Sequence, residues 1–262
     1  MPKTILITGA TDGIGLQTAK MLAGQGHTVL LHGRSRAKLD AAAAGVGGET
    51  ESYIADLSSP GAAAALAGTV LRRHARLDVL INNAGVYKTP DPRTPGGLDV
   101  RFAVNTVAPW VLTRRLLPII PRDGRIVNLS SAAQAPVDLQ AMAGHGAMAD
   151  FAAYAQSKLA LIIWTQELAK TLPEGPAVIA VNPGSLLASK MVKEGFGVAG
   201  NDIGIGAEIL CRAALDAEFA TASGKYYDND AGRIAEPHAA AMDARHRNAV
   251  MAGIRAIASR EE

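Results

Sequence analysis

Short apolar runs alternate along the chain with longer, alanine-rich stretches. The runs are continuously apolar and rich in Val, Ile and Leu, which is typical of strands in a parallel sheet that is covered on both faces. The stretches between them have the length and composition of helices. The predicted strands cover residues 4–8, 28–32, 51–55, 79–82, 125–129 and 177–181, and the predicted helices cover 13–25, 37–45, 61–73, 98–117 and 151–172.

This alternation predicts an α/β fold with a doubly wound parallel sheet, in which helices lie on both faces of the sheet and form three layers. No linker-like tract divides the chain, so we expect one domain over residues 1–236 and a helical tail over 237–262. The tail should pack on the domain or on a partner subunit through Val250, Ile254 and Ile257, which share one helix face. Ligands of such sheets bind beyond the carboxyl ends of the strands, where the functional residues should therefore lie.

Composition excludes several classes of protein. Of the 262 residues, 48% are hydrophobic and 19% are charged, which is typical of a folded domain. The net charge of +2 is too small for a nucleic-acid-binding surface. The single cysteine, Cys211, and the spacing of the six histidines offer neither a metal site nor an intrachain disulfide. No apolar run reaches the length of a transmembrane helix, so we expect a cytoplasmic protein without a membrane partner.

A glycine-rich turn, Thr-Gly-Ala-Thr-Asp-Gly-Ile-Gly at residues 8–15, follows the first run. Gly9 permits a tight turn, Gly13 lets the backbone approach a pyrophosphate, and Gly15 lets the next helix pack close to the sheet. That helix directs its N-terminal amides at the phosphates. Because the turn joins a predicted strand to a predicted helix, it indicates a dinucleotide-binding Rossmann fold. The same turn adds three residues to the predicted cofactor site: Thr11, Asp12 and Ile14.

The end of the second strand bears on which nicotinamide cofactor binds. Enzymes that use NAD usually carry an acidic residue there, which bonds the ribose hydroxyls. This chain has no acid at positions 31–36 and has Arg34 and Ser35 instead. Arg34 can bind a 2′-phosphate through its planar fork and Ser35 can add a hydroxyl, with bonds worth about 1.5–3 kcal/mol. The pattern favours NADP(H). The alternative is that Arg34 is only a charged residue at the start of the next helix and that the enzyme uses NAD(H).

Candidate proton-transfer residues follow the fifth predicted strand. Ser130 and Ser131 come directly after it, and Tyr154 and Lys158 are four residues apart on one face of a predicted helix. A free phenol titrates near pH 10, and a neighbouring ammonium favours the phenolate and lowers that pKa. A serine hydroxyl across the cleft can hold the substrate oxygen for the Tyr154 proton. These residues suit hydride transfer between a nicotinamide cofactor and a carbonyl or alcohol.

The glycine turn, Asn-Asn-Ala-Gly at 82–85, Ser131 and the Tyr154-x-x-x-Lys158 pair together resemble the short-chain dehydrogenase/reductase family, in the same order and over about residues 3–230. The resemblance implies that Tyr154 is the general acid/base and that Ser131 positions the carbonyl. It implies that Lys158 tunes Tyr154 and bonds the nicotinamide ribose. It also implies cofactor contacts, which besides Tyr154 and Lys158 come from Asp56, Leu57, Asn83, Ala84, Gly85, Pro183, Gly184 and Ser189.

Asn105 matches the fourth catalytic residue of that family, and the chain itself offers a reason. Pro109 comes four residues later and has no amide hydrogen, so the carbonyl of Asn105 lacks its helical partner. A buried carbonyl needs another partner, and a water joining it to Lys158 would extend the proton path. The alternative is a proline kink in which Asn105 is a packing residue.

The 23 positions between Ser131 and Tyr154 exceed the commonest family spacing and resemble the branch of retinol dehydrogenases and related carbonyl reductases. We expect the additional residues to form a flap beside the substrate, where methionines would suit an adaptable apolar pocket. The alternative is a plain surface loop. The flap includes Met142, Gly144, His145, Gly146 and Met148.

The sequence therefore predicts an NADP(H)-dependent carbonyl reductase with a partly apolar small-molecule substrate. The alternatives are an NAD-linked alcohol dehydrogenase and a regulatory protein that senses NADPH without turnover. The family resemblance implies a homodimer or homotetramer that pairs helices 98–117 and 151–172. The apolar run at 159–164 fits such an interface, although a helix in the core of one chain would look similar.

Overall fold

A computed structural model describes residues 1–188 and 200–259 of the chain. The described residues form one sheet of eight strands. These are β1 (Thr4–Ile7), β2 (Thr28–Gly33), β3 (Thr50–Ile54), β4 (Val79–Asn82), β5 (Arg125–Leu129), β6 (Ala177–Asn182), β7 (Tyr226–Asp228) and β8 (Arg233–Ala235). The order across the sheet is β3-β2-β1-β4-β5-β6-β7-β8, and only β8 is antiparallel to its neighbour.

The helices follow the strands along the chain. They are α1 (Gly13–Gly24), α2 (Arg36–Val46), α3 (Pro60–Arg73), α4 (Val100–Phe102), α5 (Ala108–Leu116), α6 (Leu139–Met142), α7 (Asp150–Lys170), α8 (Ile203–Leu215) and α9 (Ala244–Ala258). A π-helical turn (Ala103–Val107) joins α4 to α5. Short 3-10 turns cover Leu117–Ile119, Ala217–Thr221 and Ala239–Ala241.

Each central strand buries side chains on both faces, which confirms the doubly wound, three-layer architecture. Leu6 of β1 contributes to a core shared with α3, α5, α7 and α9, whereas Ile5 and Ile7 contribute to a core shared with α1 and α8. All three are fully buried. Burial of one such side chain contributes about 1.5–3 kcal/mol, so the continuous apolar runs stabilise both layers.

Side-chain caps begin the helices close to the strand ends. Asp12 accepts a hydrogen bond from the amide of Gly13 at the start of α1. Ser35 accepts one from Lys38 in α2, and Ser59 accepts one from Ala62 in α3. Such caps satisfy amides that the helix itself leaves unpaired. They keep the turns after β1, β2 and β3 short, so the helix N-termini lie at the carboxyl edge of the sheet.

The two last strands, β7 and β8, are absent from the predicted pattern. Each has only three residues, which is too short for a hydrophobic run to be recognised. The edge strand β8 also exposes Arg233 and Ile234. The predicted helix 98–117 is likewise observed as α4, the π turn and α5, because Pro109 interrupts regular helical hydrogen bonding.

The C-terminal helix α9 packs on its own chain, against α6, α7 and the π turn. Val250, Ile254 and Ile257 are buried there. An ion pair between Arg247 of α9 and Glu167 of α7, 2.9 Å long, joins the two helices. The division of the chain at residue 237 remains a prediction.

The apolar run at 159–164 belongs to the core of a single chain. Every residue from 157 to 165 of α7 is buried without any partner subunit. The run therefore presents no free interface, and its interpretation as a core helix is favoured. No helix within the described ranges has the length and apolar character needed to cross a bilayer.

We expect Ile254→Ala to lower the free energy of unfolding by about 2–5 kcal/mol, because the substitution leaves a cavity between α9 and α7. Arg255→Ala, on the exposed face of the same helix, should change it by no more than about 0.5 kcal/mol. Urea unfolding measures both. A loss that depends on protein concentration would instead indicate that α9 packs on a partner subunit.

Candidate active site

A cleft of about 700 Å³ opens beyond the carboxyl ends of the strands, where the order of the sheet reverses between β1 and β4. Most of the predicted site residues line it. These are Gly9, Thr11, Asp12, Gly13, Ile14, Arg34, Asp56, Leu57, Asn83, Ala84, Gly85, Ser131, Tyr154, Lys158, Pro183 and Gly184. Gly15, Ser35 and Asn105 do not line the cleft, and Ser189 lies outside the described residues.

The glycine turn has the geometry that the sequence predicts. Gly9 has a φ of +66°, and a Cβ there would come within 2.9 Å of the Cα of Ala84. A Cβ on Gly15 would come within 2.4 Å of the carbonyl oxygen of Gly9. Gly15 therefore acts in packing α1 against the turn, and the first two residues of α1, Gly13 and Ile14, line the cleft.

Asn83 joins the end of β4 to the end of β1. Its side-chain amide donates to the carbonyl oxygens of Thr8, at 2.8 Å, and Gly9, at 3.1 Å. The hydroxyl of Thr8 in turn accepts from the amides of Asn83 and Ala84, both at 3.0 Å. These bonds pair buried backbone groups that the sheet leaves open, so Asn83 holds the turn as well as lining the cleft.

His32, which the sequence reading missed, supports the same turn from β2. Its Nδ1 accepts from the amide of Gly9 at 3.2 Å, and its Nε2 lies 3.1 Å from the carbonyl oxygen of Ala55. The ring is therefore neutral with its proton on Nε2. Burial, which leaves 3% of the residue exposed, lowers the pKa of His32 to about 4. In the sequence, His32 could have been recognised as a polar residue at the end of an otherwise apolar strand.

Two cationic side chains lie at the end of β2. Arg34 lines the cleft as predicted, and Lys38, from the first turn of α2, lines it beside Arg34. Ser35 is a helix cap, since its hydroxyl accepts from the amide of Lys38 at 3.5 Å. Lys38, and not Ser35 as predicted, is therefore the second polar side chain that lines the cleft at this end.

The structure brings Ser131, Tyr154 and Lys158 together on one wall. Ser131 lies near enough to the Tyr154 phenol for its side chain to lower the pKa of that phenol. The ammonium of Lys158 lies 5.7 Å from the centroid of the Tyr154 ring and donates to the carbonyl oxygen of Leu129 at 2.6 Å. Ser130 is oriented differently, because its hydroxyl donates to the carbonyl oxygen of Lys158 at 3.4 Å and thereby holds α7.

Burial dominates the protonation of this wall. It raises the pKa of Tyr154, against the smaller lowering effect of the Ser131 side chain. It also lowers the pKa of Lys158 to about 7. The expectation of a lowered phenol pKa is wrong for this arrangement, because removal of the phenol itself from water raises its pKa by more than Ser131 lowers it. Tyr154 is held as a neutral phenol, which is the form that donates a proton.

Asn105 lies behind the wall, in the π turn, and is 1% exposed. Its Oδ1 accepts from the amide of Val86 at 2.8 Å. Its Nδ2 donates to the carbonyl oxygen of Val86 at 3.0 Å and to the hydroxyl of Ser157 at 2.9 Å. The side chain therefore packs the segment after β4 against α7. A relay through the Asn105 carbonyl stays a prediction, in a π turn of the kind that often occurs at functional sites.

The other end of the cleft is apolar and partly open. Tyr87, Phe151, Leu186 and Leu187 line it, and the rings of Tyr87 and Tyr154 meet edge to face at 5.3 Å. Phe151 is 54% exposed and Leu186 is 46% exposed. Leu186 also has a φ of 51°, in the left-handed region that a leucine rarely adopts. Exposed apolar side chains at the rim of a cleft indicate a surface that an apolar ligand covers.

The residues expected to form a flap do not line the cleft. Met142 is 1% exposed and packs in the core against α9, and Met148 packs against the same core. The expectation of a methionine-lined pocket is therefore wrong. Gly144 and Gly146 belong to a loop that is held by Arg93, whose guanidinium donates to both of their carbonyl oxygens. His145 is exposed on this loop.

Comparisons with known proteins agree with this site. A family model described as short chain dehydrogenase matches residues 3–196. Human retinol dehydrogenase 13 is 32% identical over 99% of this chain and 87% of its own length. A structure of an uncharacterized protein from Mycobacterium paratuberculosis has a TM-score of 0.82 and 28% identity, covering 98% of this chain and 93% of its own. The landomycin C-6 ketoreductase with bound NADP and rabelomycin has a TM-score of 0.69 and 28% identity, covering 87% and 94%.

The neutral, buried ring of His32 makes stability depend on pH. Because its pKa is about 4 in the fold and about 6.5 in an unfolded chain, the unfolded state binds the additional proton between these values. The free energy of unfolding should fall by roughly 3 kcal/mol from this source as the pH decreases from 6.5 to 4. Urea unfolding at several pH values measures the slope. His32→Gln should have a shallower slope, and equal slopes would mean that the native ring accepts a proton freely.

Proposed function

The chain belongs to the short-chain dehydrogenase family, and from this membership we propose that it is an NADPH-dependent carbonyl reductase with Tyr154 as its proton donor. It is an oxidoreductase that transfers hydride between a nicotinamide cofactor and a carbonyl or alcohol. The observation that carries the proposal is that Ser131, Tyr154 and Lys158 line the same cleft, with the Lys158 ammonium 5.7 Å from the centroid of the Tyr154 ring.

The cleft fits a nicotinamide dinucleotide. A side chain at Gly9 would fill the turn against Ala84, so the backbone there is open to a pyrophosphate in a way that only glycine permits. The cleft volume is within the range of cofactor sites. The residues that would hold the cofactor are Gly13 and Ile14 at the phosphates, Asp56 and Leu57 at the adenine, Asn83, Ala84 and Gly85 along the floor, and Lys158, Pro183 and Gly184 at the nicotinamide end.

NADP(H) is favoured over NAD(H) because Arg34 and Lys38 both line the cleft at the end of β2. No acidic side chain lies at positions 31–36 to bond ribose hydroxyls. Arg34 offers a planar fork and Lys38 a point charge, which together suit a 2′-phosphate. The ketoreductase neighbour with bound NADP supports the same choice.

The chain's own residues supply the proton chemistry. NADPH, when bound, supplies the hydride to the carbonyl carbon. The hydroxyls of Ser131 and Tyr154 bind the carbonyl oxygen, and Tyr154 transfers its proton as negative charge develops on that oxygen. The product is an alcohol, and the phenolate of Tyr154 is then reprotonated. We propose that this proton comes through Lys158, whose pKa of about 7 suits proton exchange near neutrality, and that a water held by the carbonyl of Asn105 would in turn supply Lys158 from solvent.

The proposed substrate is an apolar aldehyde or ketone. Tyr87, Phe151, Leu186 and Leu187 surround the open end of the cleft, beside Tyr154. Retinol dehydrogenases and a polyprenol dehydrogenase are among the relatives, and their names describe long apolar alcohols. Action in the cytoplasm and assembly into a homodimer or homotetramer are further proposals from the sequence.

We expect Tyr154→Phe to lower kcat by about 10²–10⁴-fold, because it removes only the oxygen that carries the proton. Loss of NADPH absorbance over a panel of apolar aldehydes, ketones, quinones and retinal measures turnover, and fluorescence titration measures NADPH binding. Tyr53→Phe is the matched control, since its hydroxyl bonds Glu51 and His74 outside the cleft. Turnover that survives in Tyr154→Phe would require another proton donor. Tight NADPH binding without turnover in the natural chain would favour a nucleotide-sensing protein.

We expect Arg34→Ala and Lys38→Ala each to reduce kcat/KM for NADPH by about tenfold to a hundredfold, because a charge-assisted bond to the 2′-phosphate is lost. The value for NADH should change little. Arg36→Ala is the matched control, because Arg36 lies in the same segment, is exposed and faces Asp40 at 4.0 Å. An unchanged preference for NADPH in both Arg34→Ala and Lys38→Ala would contradict the cofactor assignment and favour the NAD-linked alternative.

A further inference from the structure

A fully buried arginine lies close to the active site and has no role in the chemistry described above. The side chain of Arg101 is 0% exposed. Its guanidinium binds the carboxylate of Asp99 through two bonds, from Nε at 2.7 Å and from Nη2 at 2.5 Å. A buried charge requires a partner, and this bidentate pair meets that requirement within α4.

Arg101 makes two further bonds, to separate segments of the chain. Its Nη1 donates to the carboxylate of Asp150, the first residue of α7. The same nitrogen donates to the carbonyl oxygen of Tyr87 at 3.4 Å. Because Asp99 alone neutralises the guanidinium, the bond to Asp150 is not needed for charge balance. Its effect is to connect α4, the segment after β4 and the start of α7.

Both connected segments carry a ring of the reactive wall. Tyr154 follows Asp150 by four residues, which is one turn of the same helix. Tyr87 is the residue whose carbonyl Arg101 binds, and its ring meets that of Tyr154 edge to face. The position of one guanidinium therefore determines where the two rings meet.

Among residues 1–188 and 200–259, no side chain caps the start of α7. Its cap position, Ala149, makes no side-chain hydrogen bond, so the first turn lacks the usual stabilisation of a helix N-terminus. Helix ends fray when their terminal groups are not fixed. The bond between Asp150 and Arg101 supplies the missing constraint one turn before Tyr154.

We propose that Arg101 is a positioning residue for the reaction, which fixes the Tyr154 phenol toward the substrate oxygen through Asp150 and the backbone of Tyr87. The inference rests on the proposed function, because it takes Tyr154 as the proton donor. A misplacement of about 1 Å at a reacting group can reduce a rate by about a hundredfold. The rate is therefore more sensitive to this contact than cofactor binding is, since most of the cofactor residues lie on segments other than α7.

The first test is Asp150→Ala, which removes the connection to α7 and leaves the buried pair of Arg101 and Asp99 intact. With all-trans-retinal, or with the carbonyl of the panel that is turned over fastest, kcat should fall by about tenfold to a hundredfold. The Kd of NADPH should stay within about twofold. Asp150→Asn keeps an oxygen acceptor but loses the charge, so its kcat should lie between that of Asp150→Ala and that of the natural chain. A kcat within about twofold of the natural value in Asp150→Ala would overturn the proposal.

Glu167→Gln is the matched control. Glu167 lies on α7, thirteen residues beyond Tyr154, and the substitution weakens its ion pair with Arg247 of α9. Both side chains are about a fifth exposed. We expect a lower unfolding temperature and an unchanged kcat. If Glu167→Gln lowers kcat as much as Asp150→Ala does, the effect is general destabilisation of α7 and Arg101 has no positioning role.

A second measurement does not require turnover. In protein labelled with 3-fluorotyrosine, the ¹⁹F resonance of Tyr154 is identified by its loss in Tyr154→Phe. Asp150→Ala should shift this resonance and lower the pKa of Tyr154 toward that of a free phenol, because the ring loses part of its burial. Glu167→Gln should leave both unchanged. An unshifted resonance in Asp150→Ala, with turnover abolished in Tyr154→Phe, overturns the positioning role of Arg101 and leaves the proposed function standing. Turnover that survives Tyr154→Phe overturns the proposed function and, with it, the inference that rests on it.

Discussion

The junction between β1 and β4 is the constraint on which the rest of the site depends. The order of the sheet reverses there, so the two strand ends diverge and leave backbone groups without a ladder partner. Thr8 and Asn83 pair these groups with one another across 75 residues of sequence. Because the pairing uses side chains and not a covering loop, the crevice stays open. The glycine turn, the floor of the cleft and the wall of β5 are all positioned from this junction.

Removal from water, more than pairing with opposite charges, determines the protonation states at this crevice. Burial lowers the pKa of Lys158 to about 7 and that of His32 to about 4, and it raises the pKa of Tyr154. His32 and Tyr154 are thus neutral at physiological pH, and Lys158 exchanges its proton near neutrality. A neutral phenol and an amine that titrates near pH 7 are suited to donating a proton and then replacing it. The same burial that stabilises the sheet therefore determines the protonation states of this wall.

Much of the fold and of the cofactor half of the site could be predicted from the sequence, because both depend on local patterns. Continuous apolar runs predict parallel strands, and the glycine turn requires only its own backbone conformation. Lys38 and Tyr87 were missed because no local pattern distinguishes them from surface or core residues, whereas His32 could have been recognised as a polar residue at the end of an apolar strand. Met142 was assigned to a pocket because its chemistry suits one, whereas its contact with α9 depends on residues more than a hundred positions away. The strands β7 and β8 were not predicted, because three residues are too few to show the hydrophobic pattern of a strand.

The two halves of the cleft also differ in what holds them. The cofactor half is built from strand ends, caps and glycines, whose positions the sheet determines. The substrate half consists of segments joined by side chains: Arg93 holds the loop at Gly144, and Arg101 holds Asp150 from 49 residues away. Such contacts can be exchanged without disturbing the sheet, because none of their residues belongs to a strand. The position of the cofactor half therefore follows from the sheet. The side-chain contacts of Arg93 and Arg101 instead determine which shape of substrate fits the other half.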